Sequence, residues 1–438
     1  MKRILLGAVS ALAIGLTAYA AQAQAPAPAA ASAGPQLTWN LVRLSPQGDR
    51  YAFLAKQGSV QRIVVANAAD NSVLLSIPAT PDAVKDLEWA GEDHLLITNV
   101  TNATVDPAHF KGTKSNLTSV VAINLATHKA INVFIDPVQP RVVSAVFGQY
   151  GAAQIDGHWY GFFGDVPYET SSLGSVVRHD IDFNIYPDLY RVDLDTGEIS
   201  VAAHGEPGIT GWLIAPDGSV VATAVYDHKY KSWVIRRGGH GGPTLLSGSS
   251  PDHGPALISF GRSPDTVLVK IEDKGATKLL ELPLAGGAAE SPVDDKTAHD
   301  VLVDRATDRW LGAANDDGQL DALATGSPAA ARLKAVFSAF DGQKPRLVSA
   351  SADFNSVILW TPADGGSGTY WHVDIAKQSA DQLATGPAPE NTGSADALEW
   401  KSEEDVSMMG MQMITPGQGN QSLPLHFGTG GGAAGRTY

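Results

Sequence analysis

Short polar turns separate runs of alternating or continuous apolar residues along the whole chain. One version of the phrase returns seven times, at residues 45–55, 89–97, 154–162, 215–224, 262–269, 304–311 and 351–360. The mean interval is about 51 residues, the period at which one four-stranded propeller blade repeats. Most of these phrases are followed by a second pattern, strand–turn–strand. Residues 62–67 turn back into 72–77, 120–125 into 130–134, and 189–194 into 199–201, while 233–237, 278–282 and 370–375 open similar hairpins. Asp, Asn, Gly and Thr in the turns supply the positive φ and the side-chain bonding that such reversals need. An inner pair followed by an outer hairpin makes a blade, so the pattern predicts an all-β, seven-bladed β-propeller over residues 38–400.

Two places depart from the repeat. Residues 328–338 carry apolar positions at helical spacing behind Ser327, a residue suited to capping, so a short surface helix is expected there. Residues 165–188 form a longer insertion of the kind that shapes the mouth of a propeller channel. Trp89, Trp159, Trp212, Trp233, Trp310, Trp360 and Trp371 lie in or beside the expected strands, where packing between blades explains them better than an exposed sugar-binding platform.

The termini have a different composition. Lys2 and Arg3 precede an apolar run and a small-x-small site at Ala21-Gln22-Ala23, the pattern of a secretory signal over residues 1–23. Residues 24–37 are rich in Ala and Pro and read as a tether. The mature chain is expected to be periplasmic or secreted, with no membrane span once the signal is removed. The chain has no cysteine, which excludes disulfides, thiolate metal sites and lipid attachment at a cysteine. The formal charge of −15 becomes −17 without Lys2 and Arg3, a balance that argues against nucleic acid as a partner.

Motifs for chemistry are sparse. The insertion contains Arg178-His-Asp-Ile-Asp-Phe183, where Asp180 and Asp182 share one face of an extended segment beside His179. This set suits a cation or a substrate amine, and a solvated loop with its own turn bonding accounts for the same residues. No metal site or cofactor is assigned. No His-Glu-x-x-His or EF-hand loop is present, and Gly238-Gly-His-Gly-Gly242 lacks the helix and Lys-Ser/Thr of a phosphate cradle.

The order of four segments, 87–97, 188–198, 347–360 and 368–374, together with the helix before the seventh blade, resembles the prolyl oligopeptidase family of serine peptidases. The likeness is closest to exported acylaminoacyl- and dipeptidyl-peptidase-like members and covers roughly residues 38–400. The resemblance implies an N-terminal propeller that gates a C-terminal α/β-hydrolase domain and admits short peptides. Glu169, after Tyr168 in the insertion, is a candidate for holding a peptide amino terminus, as acidic residues on the propeller do in some relatives, but the motif departs from theirs, no role is carried over, and a surface glutamate explains it better. The Gly-x-Ser-x-Gly elbow that the hydrolase needs is absent from the 438 residues, and Gly365-Gly-Ser-Gly-Thr369 has the wrong spacing. Residues 401–438 are similar to the family's approach to its oxyanion turn, without the His-Gly-Gly-Pro order. They read as the truncated start of an α/β-hydrolase domain. The expectation is therefore the non-catalytic, substrate-gating portion of such a peptidase, inactive as this chain. Its expected partners are short peptides and a hydrolase domain or envelope protein. The alternative is a stand-alone periplasmic propeller that binds a peptide, a glycan or an envelope partner. An enzyme acting from the propeller itself, such as a lactonase, would need acidic and His ligands around one ion, and the inner strands show no such set.

Overall fold

The polar phrases work as turns because their short side chains bond the backbone locally. Asp217 accepts from the N–H and hydroxyl of Ser219, Asp193 accepts from the N–H groups of Asp195 and Thr196, and Asp353 accepts from Asn355 N. All seven phrases found in the sequence lie at tight connections between antiparallel strands.

The computed structural model describes residues 37–389 apart from 105–113, 136–141, 143–144, 168–185, 274–275, 294–299, 305–306, 316–319 and 364. Among the described residues the strands form six sheets. The first is β1 (Leu37–Leu44), β2 (Arg50–Gln57), β3 (Val60–Asn67) and β4 (Val73–Ala79). The second is β5 (Val84–Ala90), β6 (His94–Thr104), β7 (Lys114–Asn124) and β8 (Lys129–Asn132). The third is β9 (Gln149–Ile155), β10 (His158–Asp165), β11 (Asp188–Asp193) and β12 (Ile199–Ala203). The fourth is β13 (Ile209–Ile214), β14 (Val220–Asp227), β15 (Ser232–Arg237) and β16 (Thr244–Ser249). The fifth has six strands, β17 (Ala256–Phe260), β18 (Thr266–Asp273), β19 (Ala276–Pro283), β20 (Asp300–Asp304), β21 (Arg309–Ala314) and β22 (Leu320–Leu323). The helix α1 (Pro328–Ala339) follows, then the last sheet, β23 (Arg346–Ala350), β24 (Ser356–Pro362), β25 (Ser367–Asp374) and β26 (Ser379–Pro387).

The expectation of seven sheets is thus corrected to six. A single parallel bridge, Phe260 to Arg309, joins β17 to β21 and merges what the repeat treats as two units. The helix forms where the sequence places it, and the Ser327 hydroxyl accepts from Ala330 N.

The sheets are arranged as a β-propeller. First strands pack on first strands, β1 against β5 and β23, β5 against β9, and β13 against β9 and β17, so they surround an axis. Apolar clusters fill each seam. Leu41 and Ala52 meet Leu87 and Leu95; Leu96 and Ala122 meet Phe163 and Tyr190; Phe162 and Leu189 meet Trp212 and Ile214. Trp233 and Ile235 meet Val267 and Val269, and within the fifth sheet Ile258 and Leu268 meet Val301 and Trp310. The helix residues Leu333 and Val336 join Leu311 to Val357 and Leu359, and Val42 and Tyr51 meet Ile358 and Tyr370. Trp89, Trp212, Trp233, Trp310 and Trp360 are buried, as the packing reading expects, and Trp159 packs against the seam of the second and third sheets. Gly91, at φ +64, lies so close to the Trp159 ring that a Cβ would fall 2.4 Å from it, which fixes that position as glycine.

The ring closes between the first and last sheets without exchanging a strand, since each is built from one continuous segment. Leu37 pairs with Gln57 and Pro387 with Ser367, so β1 begins and β26 ends at the corresponding end of their sheets along the strand direction. No helix among the described residues is long and apolar enough to cross a membrane.

Candidate functional site

Polar residues in otherwise apolar first strands form the candidate site at the axis. In β5, Leu87 and Trp89 enter the seam with the first sheet, so the two-residue period puts Asp86 and Glu88 together on the other face. Arg43 of β1 reaches across to Asp86, Nη2 to Oδ1, at 2.6 Å; the guanidinium is buried and the carboxylate about half-exposed. The Trp89 indole N–H donates to Arg43 O at 3.0 Å, which locks the same strand pair. Gln149 of β9 donates to Glu88 through Nε2 and accepts from the Thr98 hydroxyl at 3.0 Å through Oε1. Each contact joins neighbouring sheets, so a relay of hydrogen bonds runs Arg43–Asp86, Glu88–Gln149 and Gln149–Thr98.

Asp308, in the turn between β20 and β21, completes the acidic lining. Its φ of +48 is left-handed, and its carbonyl accepts from Phe260 N at 2.9 Å. Burial, then the charges of Glu88 and Asp304, push its carboxyl from 3.8 up to about 7. Glu88 lies in the second sheet and Asp308 in the fifth. Those sheets are not neighbours, so the two groups sense each other across the axis. The wall therefore offers hydrogen-bond acceptors and negative charge, the chemistry that receives an ammonium or guanidinium group. Among the described residues no cluster of three His, Cys, Asp or Glu side chains has the arrangement of a metal site.

One serine stands beside an imidazole. Ser356 Oγ and His372 Nε2 are 2.7 Å apart on β24 and β25. Both residues are buried, and burial lowers the His372 basicity, so the ring is neutral. The Gly48 turn of the first sheet covers the pair: a Cβ there would fall 2.6 Å from Ser356 Cβ. Among the described residues no carboxylate is hydrogen-bonded to His372. The bond lies within the last sheet, between neighbouring strands, and the Ser356 hydroxyl also lies 3.4 Å from the carbonyl of Gly48, which leaves no room for a scissile carbonyl there.

A polar bolt does cross the seam of the second and third sheets. His94 Nε2 lies 2.8 Å from Asp195 Oδ1, and Asn124 Nδ2 donates to the same oxygen at 2.6 Å. These hydrogen bonds and the imidazole hold the Asp195 carboxyl below its usual range against the opposing effect of burial.

Glu169, His179, Asp180 and Asp182, the residues singled out in the insertion, lie outside the described residues. Sequence reasoning missed Arg43, Asp86, Glu88, Gln149 and Asp308. The available signal was charge inside an apolar first strand, as in Asn40-Leu-Val-Arg-Leu44 and Lys85-Asp-Leu-Glu-Trp89.

No family model and no curated protein matches the chain. Among solved structures, it is similar to one from a structural analysis of two prolyl endopeptidases, at 9% identity and a TM-score of 0.45, covering 81% of this chain and 51% of that one. It is also similar to the Pyrococcus horikoshii acylaminoacyl peptidase, at 10% identity and a TM-score of 0.43, with coverage of 79% and 52%. A Mycobacterium tuberculosis puromycin-hydrolyzing peptidase gives 12% identity, a TM-score of 0.43 and coverage of 82% and 55%. The chain spans about half the length of these structures.

Proposed function

We propose that this chain is the substrate-gating propeller portion of a prolyl-oligopeptidase-like serine peptidase, exported from the cell and inactive by itself. The observation that carries the functional reading is the acid-lined axis. With Asp86 balanced by Arg43 and Asp308 half protonated near neutral pH, Glu88 and Asp308 would supply the acceptors and negative charge that favour the ammonium end of a short peptide, while the ring of sheets would exclude folded chains. Export rests on the basic, apolar and small-residue order of residues 1–23. The active centre would be supplied by an α/β-hydrolase domain seated on the propeller.

Inactivity rests on the missing elbow motif and on the closed surroundings of Ser356. Two measurements test the proposal. A fluorophosphonate probe applied to the purified full chain is expected to leave it unlabelled, and labelling would overturn the inactive assignment. Reading the gene downstream in all frames is expected to reveal Gly-x-Ser-x-Gly followed by Asp and His. Their absence in every frame would overturn the peptidase assignment.

A further inference from the structure

The first strand of the ring breaks its own alternation. Asn40 pairs with Leu54 and Arg43 with Ala52, so Leu41 and Val42 together stand opposite Phe53 and form a β-bulge. Trp39 and Leu44 pack toward the last sheet, whereas Leu41 packs toward the second. Counted from Trp39, a regular strand would turn residue 43 toward the last sheet; the extra residue reverses the phase and turns Arg43 toward the second. Leu41 holds the bulge at a φ of +52, a left-handed conformation that costs a leucine free energy, and the Asn40 side chain accepts from its N–H at 2.8 Å. Arg43 is gripped at both ends. Its carbonyl accepts from the Trp89 indole, and its guanidinium donates to Val42 O at 3.2 Å and to Asp86 Oδ1 at 2.6 Å. Among the described residues no other hydrogen bond reaches Asp86, so Oδ2 of this half-exposed carboxylate keeps its lone pairs for a ligand.

We propose, on the axial reading given above, that Arg43 is a positioning residue which fixes Asp86 as the acceptor for a backbone N–H of the bound peptide, so that the site reads a peptide chain and not merely an amine. The guanidinium offsets the charge of Asp86, which leaves the ammonium group to Glu88 and Asp308. It also holds the carboxylate in one orientation, which suits a directed bond from a neutral donor. The spacing fits. Asp86 and Glu88 are alternate residues on one face of β5, roughly 7 Å apart along the strand, and alternate nitrogens of an extended peptide lie at the same repeat. A peptide lying along β5 with its ammonium at Glu88 therefore brings the N–H of its third residue to Asp86. Leu41, Ala52, Leu87 and Leu95 close the seam between the first and second sheets without help from an ion pair. The strained bulge is kept where it aims one charged side chain.

The test is isothermal titration of the full chain with tetra-alanine amide, and with the same peptide N-methylated at its third or at its second residue. The parent is expected to bind tetra-alanine amide and to bind the version methylated at the third residue about fivefold to tenfold more weakly. Methylation at the second residue, which removes an N–H that Asp86 does not meet, is expected to change affinity by less than about twofold. Arg43→Met keeps the length of the side chain and removes its donors. It is expected to bring the discrimination at the third residue below about twofold while the ammonium group still binds. Asp86→Asn, a change at a half-exposed position, is expected to do the same. A purely structural Arg43 would lower the melting temperature and leave the ratio between the peptides unchanged, and that result would overturn the proposal. So would equal losses for the two methylated peptides. If tetra-alanine amide does not bind, or an N-acetylated version binds as well, the axial reading itself fails and the role of Arg43 falls with it.

Discussion

Asp308 is where the axis carries its clearest energetic signature, and Asp308→Asn isolates it. The carboxyl is raised from 3.8 to about 7, first by burial and then by Glu88 and Asp304. A raised carboxyl means that the folded state holds its proton more tightly than the unfolded chain. Between pH 4 and pH 7 the folded state therefore binds more protons, and stability falls as pH rises through that window. Below pH 4 both states are protonated and the group contributes nothing. Above pH 7 the full penalty of a buried, repelled charge is present. A rise from 3.8 to about 7 corresponds to a ceiling of about 4 kcal/mol. The side chain is only partly buried, so relaxation of nearby solvent reduces this to about 1–3 kcal/mol. Asparagine is nearly isosteric, removes the charge and tolerates the left-handed φ of +48, so the backbone stays as it is. Urea unfolding followed by tryptophan fluorescence, for both proteins at pH 4.5, 6, 7 and 8.5, reads the difference directly. The variant is expected to exceed the parent by about a quarter of the full difference at pH 4.5 and by about 1–3 kcal/mol at pH 8.5. A gain independent of pH, or a loss at pH 8.5, would refute the placement of Asp308 against Glu88. Asp308→Ala serves as a control, because it removes the same charge but adds about 1 kcal/mol of backbone strain at this φ.

Three further outcomes follow from the packing. Gly48→Ala combines a φ of +79 with a Cβ 2.6 Å from Ser356 Cβ, and is expected to cost about 2–4 kcal/mol at the closing seam, measured by thermal melting. Ser356→Ala removes one buried hydrogen bond to His372 and is expected to cost about 1 kcal/mol, with no change in fluorophosphonate reactivity. Asp195→Asn should weaken the seam of the second and third sheets at neutral pH only: the depressed carboxyl contributes stability above its unfolded value, and that contribution fades on acidification below pH 4, as hydrogen exchange in β6 and β11 would report.

Much of the fold was legible because its determinants are local. The turns at Asp193, Asp217 and Asp353 are built from side chains bonding the backbone two or three residues on, so the sequence displays them directly. The helix was legible for the same reason, through Ser327 and the apolar spacing behind it. The number of sheets was not, because it depends on one contact between distant segments, the bridge from Phe260 to Arg309.

The axial residues show why the site was harder to read than the scaffold. Asp86 and Glu88 alternate with Leu87 and Trp89 in a way that fits any strand with one solvated face. Only the closing of the ring brings Glu88 near enough to a group from a sheet that is not its neighbour for its charge to act on Asp308. The cost of bringing Glu88, Asp304 and Asp308 together is repulsion that no seam in this propeller requires, since the apolar clusters close every seam without it. A fold selected for stability alone would place neutral residues at these positions. In the proposed reading a cationic ligand would offset that repulsion, and the pH dependence at Asp308 reads the repulsion itself.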